Sequence, residues 1–178
     1  MIDTLGLTLS ARRIARVMSC GLVMLAALAA ALALITLVKP GSIGQHLADL
    51  SGYPVGPIQA WQTAGLIGVV AIHLAVWITL FATGRRMFRH MADGAPDLAA
   101  ADAQTLSRWL WAMLVWGIVS QMLVSVLVTF GLPAGQRALQ IGIGTPEIFA
   151  ALTALIAGFM ARAFALGAEL WRDHQEMV

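Results

Sequence analysis

VMSCGLVMLAALAAALALITLV occupies residues 17–38, and no charged side chain interrupts it. As a helix its 22 residues rise about 33 Å at about 1.5 Å each, enough to cross a hydrocarbon core about 30 Å thick. Lys39-Pro40-Gly41 ends the run, because proline cannot continue a helix and glycine permits the turn. Arg12, Arg13 and Arg16 form a basic flank upstream, as they would in a cleaved signal peptide. The apolar stretch is too long for a signal peptide and three more such stretches follow, so a membrane span is the expectation.

Working outward, residues 40–59 read as a polar loop with the turn-prone Ser51-Gly52-Tyr53-Pro54. A second span is expected over roughly 60–83, opening on Trp61 and closing on Gly84-Arg85-Arg86. The connection 84–108 has a basic front (Arg85, Arg86, Arg89, His90) and then an alanine-rich stretch holding Asp93, Asp97 and Asp102. Its part from Asp97 to Arg108 predicts a short helix leading into a third span over roughly 109–131. Thr145-Pro146-Glu147 is a helix-start pattern: a capping hydroxyl, proline at the first position and an acid in the first turn. A fourth span follows over roughly 146–166, its helix running on into the tail 167–178.

Composition agrees with four spans in a single membrane domain. The 178 residues are 60% hydrophobic and 11% charged, with a mean hydropathy of +0.83, whereas soluble domains are about half apolar and about a quarter charged. Isolated apolar strands would leave backbone groups unpaired in lipid, so the spans must be helical. The fold class expected is therefore an all-α four-transmembrane-helix bundle, with a short cytoplasmic helix before span three and a cytoplasmic extension of span four.

The cations set the orientation. Arg12, Arg13, Arg16, Arg85, Arg86, Arg89, Arg108, Arg162 and Arg172 fall on one side, against Lys39 and Arg137 on the other. The richer side belongs in the cytoplasm, which puts both termini there. These arginines are spread beside the spans rather than massed, so direct nucleic-acid binding is not expected despite a pI near 9.3. The preference for arginine over lysine and the abundance of alanine point to a GC-rich bacterial genome, hence the inner membrane. The single cysteine, Cys20, excludes an internal disulfide.

Polar groups inside a membrane are costly, so each calls for an account. His73 and Gln121 fall near the middle of spans two and three, at similar depth. They could join as a structural interhelical hydrogen bond or line a midplane ligand pocket. Haem is not expected, since His46, His90 and His174 all lie outside the spans and none faces His73. No cofactor or metal site is expected at all. Arg162 lies one to two turns from the inner surface, where its stem can snorkel to the headgroups. Glu147 reads as a first-turn acid balancing the helix dipole. Ala26 and Ala30, Ala27 and Ala31, and Ala29 and Ala33 recur at a spacing that lets helices approach closely. No phosphate-binding glycine loop, nucleophile elbow or zinc-protease signature is present, and no enzymatic reaction is expected.

Two stretches carry a resemblance. Arg85-Arg86-Met87-Phe88-Arg89-His90-Met91-Ala92-Asp93-Gly94-Ala95-Pro96, with Leu106, Arg108 and Leu110 beyond it, is one. The tail from Ala161 and Arg162 through Phe164, Gly167, Glu169, Leu170, Trp171 and Asp173 to Glu176 and Val178 is the other. Together they resemble the bacterial four-span membrane family catalogued as domain of unknown function 2975. This chain departs from the family at Asp97, where an aromatic follows the proline, and at His174 to Met177. The resemblance implies a non-enzymatic protein whose partner is a regulator or a membrane complex, since members are often encoded beside a small helix-turn-helix regulator. A docking face of Arg85, Arg86, Arg89, Gly94, Pro96, Arg162, Gly167, Glu169, Leu170, Asp173 and Glu176 follows, in which the arginines of the loop pair with the acids of the tail or instead touch lipid phosphate. The competing expectation is a small-ligand or transport protein using His73 and Gln121, which with so few spans would require a homo-oligomer.

Overall fold

The computed structural model describes residues 4–53, 56–137 and 139–176, with the side chains of 4–7, 40–41, 134, 146, 168 and 170–176 outside that set. Among the described residues five α-helices follow one another: α1 (Thr4–Val38), α2 (Pro40–Asp49), α3 (Ala60–Ala92), α4 (Pro96–Thr129) and α5 (Thr145–Glu176), with one 3-10 turn at Ala134–Gln136. Four of them, all but α2, are long and apolar enough to cross a membrane. α1 packs chiefly on α3, α3 on α4, and α4 on α5.

The surface these helices present fits lipid and not water. Leu37 is 81% exposed, Met24 73% and Phe159 74%, and none of the most apolar stretch of α1 is buried. Soluble monomers seldom expose contiguous apolar patches beyond a few hundred Å². Single residues such as Leu74, Leu80 and Ala154 are buried within the spans, and two clusters of buried apolar residues lie towards their ends. Ala48, Leu66 and Val128 form one cluster with Leu47, Tyr53, Ile58, Val124 and Leu127 around it. Met87, Ala103 and Ala161 form the other, joined by Phe88, Leu106 and Phe164, at the arginine-bearing end.

The structure departs from the sequence expectations at three places. Residues 40–59 are not all loop: Pro40 stops α1 but then occupies the first turn of α2, where its missing N–H costs nothing. Ile43 and Ala48 turn inward from α2, while Gln45 donates to Asp49 on its outer face. The short helix expected from Asp97 to Arg108 and the third span are one uninterrupted helix, since no proline follows Pro96 in α4. The start of α5 is capped differently as well. The helix begins at Thr145, so Gly144 stands at the capping position and its N–H donates to Glu147 Oε2 at 2.8 Å. That is the acidic half of a capping box, with no role for the Thr145 hydroxyl.

Small residues set how closely α1, α2 and α3 approach. A Cβ added at Gly21 of α1 would collide with the ring of Phe81 on α3, and one at Gly44 of α2 with the Thr63 hydroxyl. A buried amide ties α3 to α4: Gln62 is 2% exposed and its Nε2 donates to the Leu127 carbonyl, while its Oε1 accepts from the Gln59 N–H. Gly21→Leu is therefore expected to lower stability by about 1–3 kcal/mol through overpacking. Thermal unfolding in mild detergent checks this, and adding Phe81→Ala to Gly21→Leu should restore part of the loss.

Candidate functional site

At the arginine-bearing end α3 turns directly into α4. The turn is a Schellman motif: Gly94 adopts the left-handed φ of 71°, the Ala95 N–H donates to the His90 carbonyl at 2.9 Å and the Gly94 N–H to Met91 at 3.4 Å. Pro96 then opens α4 at once, its fixed φ suited to a first turn. The outcome is a hairpin whose arms run on past the apolar spans, with α5 alongside α4.

The four-residue spacings of α3 sort its cations onto two faces. Arg86 and His90 turn to α4, where they converge on the buried Asp102: Arg86 Nη2 lies 3.5 Å from Oδ1, and His90 Nδ1 2.9 Å from Oδ2. Arg85 and Arg89 turn to α1, where Arg12 and Arg16 stand four residues apart on the facing helix. With Arg86, Ser19, His90 and Asp93 they line one cavity of about 560 Å³. Its floor is made by small residues, with Ala15 and Ala92 both buried. Among the described residues Arg12, Arg16, Arg85 and Arg89 make no ion pair with a carboxylate.

The docking face expected from sequence is thus divided. Arg86 is held by Asp102, and Arg85 and Arg89 face α1, so among the described side chains none of the three pairs with an acid of the tail. Gly94 and Pro96 are exposed at the hairpin tip. Arg162, exposed on α5, lines a separate cleft with Ser107, Trp111, Gly158 and Phe159. Gly167 and Glu169 are exposed further along α5, while the side chains of Leu170, Asp173 and Glu176 lie outside the described residues. Asp102 was legible in principle: it and Arg86 each stand eight residues from Gly94, which a tight hairpin sets side by side.

The midplane pair is not brought together. His73 is exposed on α3. Gln121 instead donates its Nε2 to Glu147 Oε1 at 2.7 Å, linking α4 to the first turn of α5. Glu147, 7% exposed, holds two donors at once, Gln121 and the Gly144 N–H. This carboxylate borders a polar cavity of about 510 Å³ with Tyr53, Gln140 and Gly142, where the Tyr53 hydroxyl donates to Gln140 Oε1 at 2.7 Å. Glu147 therefore does more than balance a dipole: it fastens two helices and a loop.

Glu147→Ala would leave both donors without an acceptor and is expected to cost about 1–3 kcal/mol. His73→Ala, at an exposed position, should stay within about 0.5 kcal/mol of the parent. Thermal unfolding of the two variants in detergent separates these outcomes, and a larger loss for His73→Ala would restore the midplane role to that residue.

Compared with known proteins, the chain matches no family model, no curated protein and no solved structure.

Proposed function

We propose that this chain is a non-enzymatic, multi-pass protein of the bacterial inner membrane, with both termini in the cytoplasm, whose projecting helical stem docks a protein partner. The carrying observation is the surplus length of the four long helices at one end. α1, α3, α4 and α5 have 35, 33, 34 and 32 residues, about 50 Å each against a hydrocarbon core of about 30 Å. The excess gathers where Arg85, Arg86 and Arg89 stand, and it has its own small core of Met87, Ala103 and Ala161. Leu98, 54% exposed in the first turn of α4, lies on this stem beyond the apolar span. An exposed leucine beside Gly94, Pro96 and Asp97 suits a contact with another protein, a transcriptional regulator or a neighbouring membrane complex. Membership of the four-span family belongs to the same proposal, since its two stretches form the hairpin tip and the end of α5.

Crosslinking in native membranes tests the docking. The intact chain is expected to capture a stoichiometric partner that is lost when residues 169–178 are deleted and weakened by Leu98→Asp. The deletion spares Ala161 and Phe164, so the stem core remains. Identical captures from all three forms would remove this function.

Orientation has its own check. In a Cys20→Ser background, Arg137→Cys should react with a membrane-impermeant maleimide applied to the outer face, and Arg89→Cys only after the inner face is opened. The reverse pattern would invert the topology.

A second reading, a small-solute binder or transporter, is supported by the buried Glu147 beside a polar cavity. It keeps Gln121 and replaces His73 with Glu147. The few spans would again call for a homo-oligomer. If Gln121→Leu folds and leaves every cellular phenotype of the parent intact, this reading fails.

A further inference from the structure

The α1–α3 seam brings more like charges together than its neighbouring carboxylate can balance. Ala11 and Ala15 are buried on α1, and Gly21 abuts Phe81, so the two helices run close. That closeness sets Arg12 and Arg16 opposite Arg85 and Arg89 around one cavity, with Asp93 the one carboxylate among its described lining residues. Guanidinium groups so placed repel one another unless an anion lies between them, and their planar forks suit phosphate oxygens.

The cavity does not end at the arginines. Arg85, Arg86 and Arg89 also border an adjoining groove of about 460 Å³ whose walls are Leu22, Ile78, Thr79, Ala82 and Thr83. Ile78 in turn borders a third groove of about 490 Å³, running between Leu32 and Ala33 of α1 and Ala71 and Leu74 of α3. The seam is therefore basic at its mouth and apolar along its length. One leaflet is about 15 Å deep, which is about ten residues of helix. A chain entering beside Ser19 would end near the level of Ala29, where the third groove begins.

We propose that the α1–α3 seam binds an anionic phospholipid bearing more than one phosphate charge, its phosphates held by Arg12, Arg16, Arg85 and Arg89 and its acyl chains laid along Leu22 and Ile78. Scattered arginines beside a span attract anionic lipid loosely. Here four of them converge from two helices on a single cavity, which selects for charge number and for a head joined to chains. Arg86, already paired with Asp102, contributes less. The lipid also relieves the repulsion that α1 creates by docking, so it binds the assembled pair better than separated helices and stabilises it by mass action. This site is independent of partner docking at the stem, and the tail deletion leaves it intact.

The test is native mass spectrometry of the purified full chain with an equimolar mixture of cardiolipin, phosphatidylglycerol and phosphatidylethanolamine, with a thermal shift recorded for each lipid. One cardiolipin per chain is expected to be retained in preference to the other two. Arg12→Gln with Arg16→Gln, or Arg85→Gln with Arg89→Gln, should each weaken it about thirtyfold. Arg13→Gln with Arg108→Gln removes the same charge outside the cavity and should change little. Ile78→Trp should reduce lipid retention by filling the groove while leaving weak competition by inorganic pyrophosphate unchanged. Equal losses from the Arg13 and Arg108 pair would show unselective surface attraction and overturn the proposal. So would pyrophosphate binding as tightly as cardiolipin, which would mark a site for a soluble anion. A cavity variant that unfolds is replaced by Ile78→Trp as the deciding measurement, since that change leaves every arginine in place.

Discussion

Backbone amides and carbonyls cannot be left unpaired in hydrocarbon, and this single constraint organises the molecule. It requires each crossing to be an uninterrupted helix. Prolines accordingly stand in the first turns of α2, α4 and α5, with none in the interior of any of the long helices. With the backbone satisfied internally, little side-chain burial is needed within the spans. Polar side chains are then spent on links between helices: Gln62 on the Leu127 carbonyl, Ser107 on the Ala154 carbonyl and Glu147 on Gln121. Each link joins neighbouring helices in the order in which they pack.

The two ends solve different problems. At one, α2 and the loops are stitched by hydrogen bonds and aromatic contacts, with Trp61 edge-on to Phe130 at 5.2 Å and Arg137 over the same ring. At the other, charge is dense and only partly balanced. Asp102 neutralises the α4-facing side of α3, while the α1-facing side retains its excess of guanidinium groups. That imbalance is what makes the arginine-bearing end chemically distinctive.

Much of the fold could be read in the chain because lipid imposes long, simple patterns. Each of the four apolar runs is carried by one long helix, and the stop at Lys39-Pro40 and the start near Thr145 coincide with helix ends, while the helices run well past the expected spans at the arginine-bearing end. What escaped was short-range competition. Pro40 carries two opposite meanings, ending one helix and opening another, and only the inward set of Ile43 and Ala48 decides between them. The sites were less legible still. Similar depth drew His73 and Gln121 together, but depth says nothing of which way a side chain turns around its helix axis. Rotation gave Gln121 to Glu147 and left His73 outside. Likewise, loop arginines and tail acids share an end of the molecule, yet Arg86 found its acid much nearer, across the hairpin.

The turn at Gly94 has a mechanical consequence. α3 and α4 have no proline beyond their first turns and none of the left-handed residues at which a rod would yield. Joined through three residues, and clamped by Asp102 near the tip and by Gln62 at the far end, they form a stiff two-armed lever about 50 Å long. With no proline kink between Pro96 and Leu127, the hairpin ties the position of its tip to that of its far end, so the two faces of the bilayer are joined by continuous helix.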